Sequence, residues 1–183
     1  MKRDKYYESL CSINKKAFLI FERHAENANI FVETGCHEGD TCVKAAYAGY
    51  DRVYSCDVNA LFVAAAQTKM KNHEVECEIV NTNSIEFLAQ VLPTLTERST
   101  FWLDAHDTFN AGIPFPTWEE LALINELCVI RDNNIIIDDI QLFFKNDIQK
   151  LQSAILEINP AYKFKFETIH ETGSDHVMIA YIN

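Results

Sequence analysis

Apolar and polar positions along the chain switch repeatedly between two periods. Over residues 4–28 the apolar positions recur every three to four residues, so Tyr7, Leu10, Ile13, Ala17, Ile20 and Phe21 share one face of a predicted helix. A short apolar run over 30–33 reads as a strand, and the pattern turns helical again over 40–48. The alternation continues with strands over 52–56, 75–80, 100–103 and 134–137, and helices over 60–71, 84–92, 118–131 and 147–158. Pro93 and Asn159-Pro160 close two of these helices, and Thr117 is placed to cap the start of a third. Residues 162–170 and 176–182 alternate apolar and polar around Thr172-Gly173-Ser174-Asp175, the pattern of a hairpin.

Strands separated by helices imply a mainly parallel sheet covered on both faces. The early strands are short continuous apolar runs, as strands buried on both sides should be. The expected fold is α/β: a three-layer sandwich around a mainly parallel seven-stranded sheet, closed by a C-terminal antiparallel hairpin. At 183 residues the chain fits one domain, 1–183, with 1–28 as an N-terminal helical segment. No linker, low-complexity tract or internal repeat divides it.

Composition narrows the setting. The six cysteines (Cys11, Cys36, Cys42, Cys56, Cys77 and Cys128) form no C-x-x-C pair, so they read as free thiols in a reducing compartment, which predicts a cytoplasmic protein. The N-terminus lacks the apolar core of a signal peptide, and no apolar run approaches the roughly 20 residues of a membrane helix. A net charge of −11 disfavours phosphate backbones, so no nucleic-acid partner is expected.

Chemistry concentrates where the predicted strands end. The first runs into Val32-Glu33-Thr34-Gly35-Cys36-His37-Glu38-Gly39-Asp40-Thr41. Gly35 and Gly39 allow a sharp turn and close approach to a ligand, and the next helix points its N-terminal N–H groups at the same place. Asp57 ends the second strand 22 residues after Gly35, the spacing at which an acid meets ribose hydroxyls. The Gly-x-x-x-Gly spacing departs from the dinucleotide G-x-G-x-x-G, and His37 and Glu38 would crowd and repel a pyrophosphate.

The VETGCHEG run, Asp57 and Asn83-Ser84 resemble the first three motifs of class I S-adenosylmethionine-dependent methyltransferases, in order from about Phe31 to Ile182. The resemblance departs in its sparser glycine loop. It implies a Rossmann-like fold and an enzyme that binds S-adenosylmethionine. It implies cofactor contacts from Glu33, Thr34, Gly35, Gly39, Asp40 and Thr41, from Asp57 and Val58, from Asn83 and Ser84, and from Asp104. Because S-adenosylmethionine carries no phosphate, the acidic loop is tolerable, and Glu33 or Glu38 favours its cationic end.

A second acidic group follows strands four and five: Asp104-Ala105-His106 and Asp138-Asp139. Neighbouring parallel strands would crowd Asp104, Asp138 and Asp139, and crowded carboxylates call for a cation. Hard oxygen ligands suit Mg²⁺ or Ca²⁺, and a divalent ion there would lower the pKa of a substrate hydroxyl. The three positions resemble the metal site of catechol-type and macrocin-type O-methyltransferases. Capping of the following helices is the alternative for these acids. His106 and Asp104 are the candidate catalytic residues, with His106 as a general base or a substrate contact. The implied acceptor is a small molecule or a sugar; a DNA amino-methyltransferase is disfavoured because no Pro-Pro-aromatic motif follows Asp104. A non-catalytic S-adenosylmethionine-binding domain and another nucleotide-dependent Rossmann-like enzyme are the competing readings. Phe109, Phe115 and Trp118 are candidate lid residues, and the N-terminal helix with Tyr6, Tyr7 and Phe18 is a candidate cofactor cover or homodimer contact. His24, His73, His170 and His176 show no ligand spacing and are expected at the surface or in the hairpin.

Overall fold

The computed structural model describes residues 15–106, 115–169 and 176–183. Five strands, β1 (Ile30–Thr34), β2 (Arg52–Asp57), β3 (Glu78–Asn81), β4 (Ser99–Leu103) and β5 (Asn134–Ile137), pair in parallel in the order β3-β2-β1-β4-β5. β7 (His176–Tyr181) runs antiparallel beside β5, and β6 (Lys163–Thr168) runs antiparallel beside β7 at the sheet edge. This is the expected seven-stranded sheet with its antiparallel C-terminal pair.

Side-chain alternation sorts the core into two halves. Ile30, Val32, Phe101, Leu103 and Ile137 point to one face. There they meet Phe87 of α4 (Ser84–Val91), Ile124 of α5 (Thr117–Leu127) and Ile155 of α7 (Ile148–Ile158). Phe31, Val53, Trp102 and Ile136 point to the other face. Their partners come from α1 (Lys15–Ala25), α2 (Asp40–Ala48) and α3 (Ala60–Asn72). Burying each large apolar side chain contributes about 1.5–3 kcal/mol, so both helical layers are held by the sheet's own alternation. The chain reverses direction across the sheet between β1 and β4. That switch point opens a crevice outside the carboxyl ends of the strands.

Several boundaries differ from the sequence expectation, each for a local reason. β3 begins at Glu78 rather than at 75, because Glu74 turns left-handed (φ 54°) and the Val75 N–H still closes α3 onto the Met70 carbonyl. Thr117 is the first residue of α5 and not its cap; Pro116 holds the cap position without a side-chain bond, and the helix ends at Leu127, where Cys128 becomes extended. α4 passes into a 3₁₀ turn, Leu92–Thr94, with Pro93 inside it. The four-residue helix α6 (Ile140–Phe143) is too short to leave a periodic signal. His24, expected at the surface, is buried at 5% exposure, and burial lowers its pKa to about 4. Phe18 is likewise buried. His73 is half-buried beside Tyr47. Residues 4–14 of the first predicted helix, with Tyr6, Tyr7, Leu10, Cys11 and Ile13, lie outside the described residues, as do Phe109, His170 and the 172–175 turn. The remaining five cysteines are free thiols.

Candidate functional site

The loop after β1 forms the centre of the crevice. Gly35 leaves the strand at φ 83°, and a Cβ there would lie 2.8 Å from the Asp104 carbonyl oxygen. Glycine is therefore what lets the exits of β1 and β4 touch. The Gly35 and Cys36 N–H groups both donate to the Cys56 carbonyl, tying the loop to β2. Gly39 ends the loop at φ 82°, and a Cβ there would meet Ala66 at 2.8 Å. Its lack of a side chain seats α2 against α3.

Asp57 ties the loop to the neighbouring strand. Its Oδ2 accepts the His37 N–H at 2.9 Å and its Oδ1 accepts the Asn59 N–H at 2.8 Å. The α3 cap is Asn59, whose Oδ1 accepts the Leu61 N–H, so helix capping does not account for Asp57. A carboxylate has about four acceptor sites, which leaves Asp57 able to take further donors from the crevice.

Two cavities meet at this loop. The larger, about 660 Å³, is lined by His37, Thr41 and Lys44 together with Asp104, Asp138 and Asp139. The smaller, about 290 Å³, is lined by Cys56, Thr82, Asn83, Ser84, Ala105 and Phe115. Gly35, Asp57, Val58 and His106 line both. Asn83 also caps α4 through its Oδ1 to the Glu86 N–H. Phe115 packs its ring 4.1 Å from Phe143, and Phe143 lies 4.8 Å from the His106 ring. An aromatic wall thus backs the imidazole. Trp118 packs behind it against Phe144.

The acids after β4 and β5 converge because those strands are neighbours. His106 bridges two of them, with Nδ1 3.2 Å from Asp104 Oδ1 and Nε2 3.0 Å from Asp139 Oδ2. Burial alone would lower its pKa, but the two carboxylates raise it to about 10. Asp104 is nevertheless held above the usual carboxylate range, because burial and the Asp139 charge outweigh the imidazole and the Trp102 N–H it accepts. Asp138 is pushed up to about 8 by burial and by the charge of Asp104. Asp139 adopts a left-handed backbone (φ 53°), an uncommon conformation for a non-glycine residue that aims its carboxylate at His106.

Donor atoms from Asp104, His106 and Asp139 lie within 4.8 Å of one another, a set that fits a divalent cation. Asp138 does not join this set. Its Oδ1 accepts the Asp139 N–H, so it fixes the turn while still facing the larger cavity. Compared with the expected trio of Asp104, Asp138 and Asp139, the imidazole stands where Asp138 was expected.

Four expected cofactor contacts lie off the cavity walls: Gly39, packed against Ala66, and Glu33, Thr34 and Asp40. Glu33 is 1% exposed on the α1–α3 side of β1, where its Oε2 accepts Cys42 Sγ–H at 2.9 Å and Ser55 Oγ–H at 2.7 Å. Burial raises its pKa to about 7. Thr34 is fully buried on the opposite side, its Oγ1 and carbonyl both facing the Asp104 N–H. The exposed Asp40 pairs with Lys69 at 2.7 Å. A residue the sequence reading missed is Glu120 of α5, 0% exposed beneath the rim. Neither of its oxygens completes a hydrogen bond, although the Ser84 and Thr34 hydroxyls stand close, and burial raises its pKa to about 7.

The sequence matches no protein-family model and no curated protein. Solved structures match it throughout. An O-methyltransferase from Bacillus cereus in complex with SAH is 13% identical, with a TM-score of 0.68, covering 100% of this chain and 93% of that one. The O-methyltransferase TomG from Streptomyces achromogenes, in complex with SAM, is 14% identical with a TM-score of 0.64, covering 94% and 80%. An rRNA methylase from Streptococcus thermophilus is 11% identical with a TM-score of 0.62, covering 91% and 94%. The fold is that of the class I Rossmann-like methyltransferases. Among the described residues, no helix is long and apolar enough to cross a membrane.

Proposed function

We propose that the protein is an S-adenosylmethionine-dependent methyltransferase that acts on a hydroxyl of a small molecule or sugar, with divalent-cation assistance. The observation that carries this reading is the pair of joined cavities hinged on Asp57. The apolar smaller cavity suits an adenine ring, against Val58 and beside Asn83 and Ser84. Asp57 stands where ribose hydroxyls would donate to it. The larger, acid-lined cavity suits a cationic amino-acid end and an acceptor. The proteins named with SAH or SAM share this fold, which is consistent with the assignment.

S-adenosylmethionine supplies a methyl group activated by its sulfonium charge. The chain's own task is then to hold the acceptor oxygen in line and to remove its proton. Clamped between Asp104 and Asp139 with a pKa of about 10, His106 carries a proton at neutral pH and is no base in that state. A divalent cation held by Asp104, His106 and Asp139 would supply the Lewis acidity that lowers the hydroxyl's pKa. Ligation requires His106 to give up its proton.

Calorimetry with S-adenosylhomocysteine and NAD, followed by methyl transfer to a panel of hydroxyl compounds with and without chelator, tests the reading. Binding of S-adenosylhomocysteine without NAD, and turnover that falls on chelation, are expected. Binding of NAD in its place would refute the assignment, and turnover indifferent to chelator would remove the cation.

A further inference from the structure

The larger cavity has one lysine among its described lining residues, and the chemistry above gives it no role. Lys44 lies on α2 three residues beyond Thr41, so the two share a helix face, and both line the cavity. Lys44 is 7% exposed, a rare placement for lysine. The cavity's acids and its lysine come from different kinds of element. Its carboxylates come from the strand tips: Asp57 ends β2, Asp104 follows β4, and Asp138 and Asp139 follow β5. Lys44 comes from the helical side, in the same lining as Ala17 and Phe21 of α1, Trp102 and Ile169.

Apolar neighbours lower the local dielectric, so an ion pair made beside them is stronger than one in water. A bound molecule would be oriented by these opposite charges, with its negative group at Lys44 and its cationic or metal-seeking part at the acidic rim. Four carboxylates in the same cavity would oppose a multiply charged phosphate more than a singly charged carboxylate. We propose that Lys44 is the carboxylate-binding residue of the larger cavity. The carboxylate has two sources: the amino-acid end of S-adenosylmethionine, or an acidic group on an acceptor with an apolar body. Assigning either source rests on the methyltransferase reading; the ion pair itself does not.

Calorimetry on the full chain, with Lys44→Met and Lys44→Arg beside the wild type, separates the two sources. One pair of probes is S-adenosylhomocysteine and methylthioadenosine, which lacks the amino-acid carboxylate. The other is para-hydroxyphenylacetate and para-cresol. In at least one pair, Lys44→Met should weaken the carboxylated probe about ten- to hundred-fold, the range of one charge-assisted hydrogen bond. The uncharged partner probe should be unaffected, and Lys44→Arg should keep the preference. An effect in the first pair assigns the cofactor; an effect in the second assigns the acceptor.

The proposal is overturned if the wild type binds both members of each pair equally, if Lys44→Met weakens both alike, or if neither carboxylated probe binds. The wild-type comparison and Lys44→Arg decide the matter even if the methionine variant does not fold. Failure of both adenosine probes would refute the methyltransferase reading, leaving the phenolic pair to decide Lys44 alone.

Discussion

Glu120 is the group whose removal most directly tests the electrostatics beneath the crevice. It is fully buried in the apolar stripe of α5, and neither oxygen completes a hydrogen bond. Its pKa rises from 4.5 in the unfolded chain to about 7 in the folded protein, chiefly through burial. That difference corresponds to about 3 kcal/mol. Below about pH 4.5 both states are protonated and Glu120 contributes nothing. Between about pH 4.5 and 7 the unfolded state ionises first, so stability falls by about 1.4 kcal/mol per pH unit. Above about pH 7 the full penalty of about 3 kcal/mol is in place.

Glu120→Gln keeps the shape and removes the titration. Its amide adds a buried donor, but the cost of that donor does not vary with pH. Urea unfolding followed through Trp102 and Trp118, at pH values from 4 to 9, gives the comparison. The variant should gain on the wild type as pH rises, by up to about 3 kcal/mol, with the gain levelling off above neutrality. Glu33 titrates in both proteins and cancels from the difference. Two stability curves that run parallel across the whole range would refute the reasoning.

Gly35→Ala should destabilise the protein by about 1–3 kcal/mol from its left-handed backbone alone, and further because the new Cβ would press on the Asp104 carbonyl; denaturant unfolding reads this, and an unchanged midpoint would contradict the close approach. Asp57→Ala should weaken S-adenosylhomocysteine by about 1–3 kcal/mol, the worth of one or two hydrogen bonds. It should also lower the melting temperature, because the His37 and Asn59 N–H groups lose their acceptor. Equal dissociation constants for the variant and the wild type would remove Asp57 from the ribose contact.

The layering and the strand tips were legible because both follow from periodicity. Helix and strand periods alternate, and a parallel sheet leaves the polar residues after each strand at one rim, which brought Asp104 and Asp139 together before any coordinates. What lay one residue deeper was not legible. Glu33 and Thr34 read as part of the polar rim, yet alternation sends them to opposite faces of a sheet buried on both. Asp40 was drawn off by Lys69, a pairing between two helices that no local pattern records. Glu120 did leave a signal: it falls in phase with Thr117, Leu121 and Ile124, the buried stripe of α5. An acid in an apolar stripe is a buried charge, whereas the run TWEELALINEL taken by composition suggests a solvated one.

These buried acids bear on what the crevice will accept. Asp104 and Asp138 stand at the rim with raised pKa values, and Glu33 and Glu120 lie beneath it with theirs raised as well. Part of each shift comes from a neighbouring carboxylate, with Asp104 acting on the other three. A ligand that adds negative charge would raise all four further, and a cationic one would relieve them. Glycine spacing argues against a pyrophosphate by steric crowding at His37 and Glu38; the carboxylates argue against it independently, through charge. The proposed sulfonium and divalent cation have the sign that these acids favour. Lys44, on the helical side of the same cavity, marks where that preference would reverse and a single negative group would be accepted.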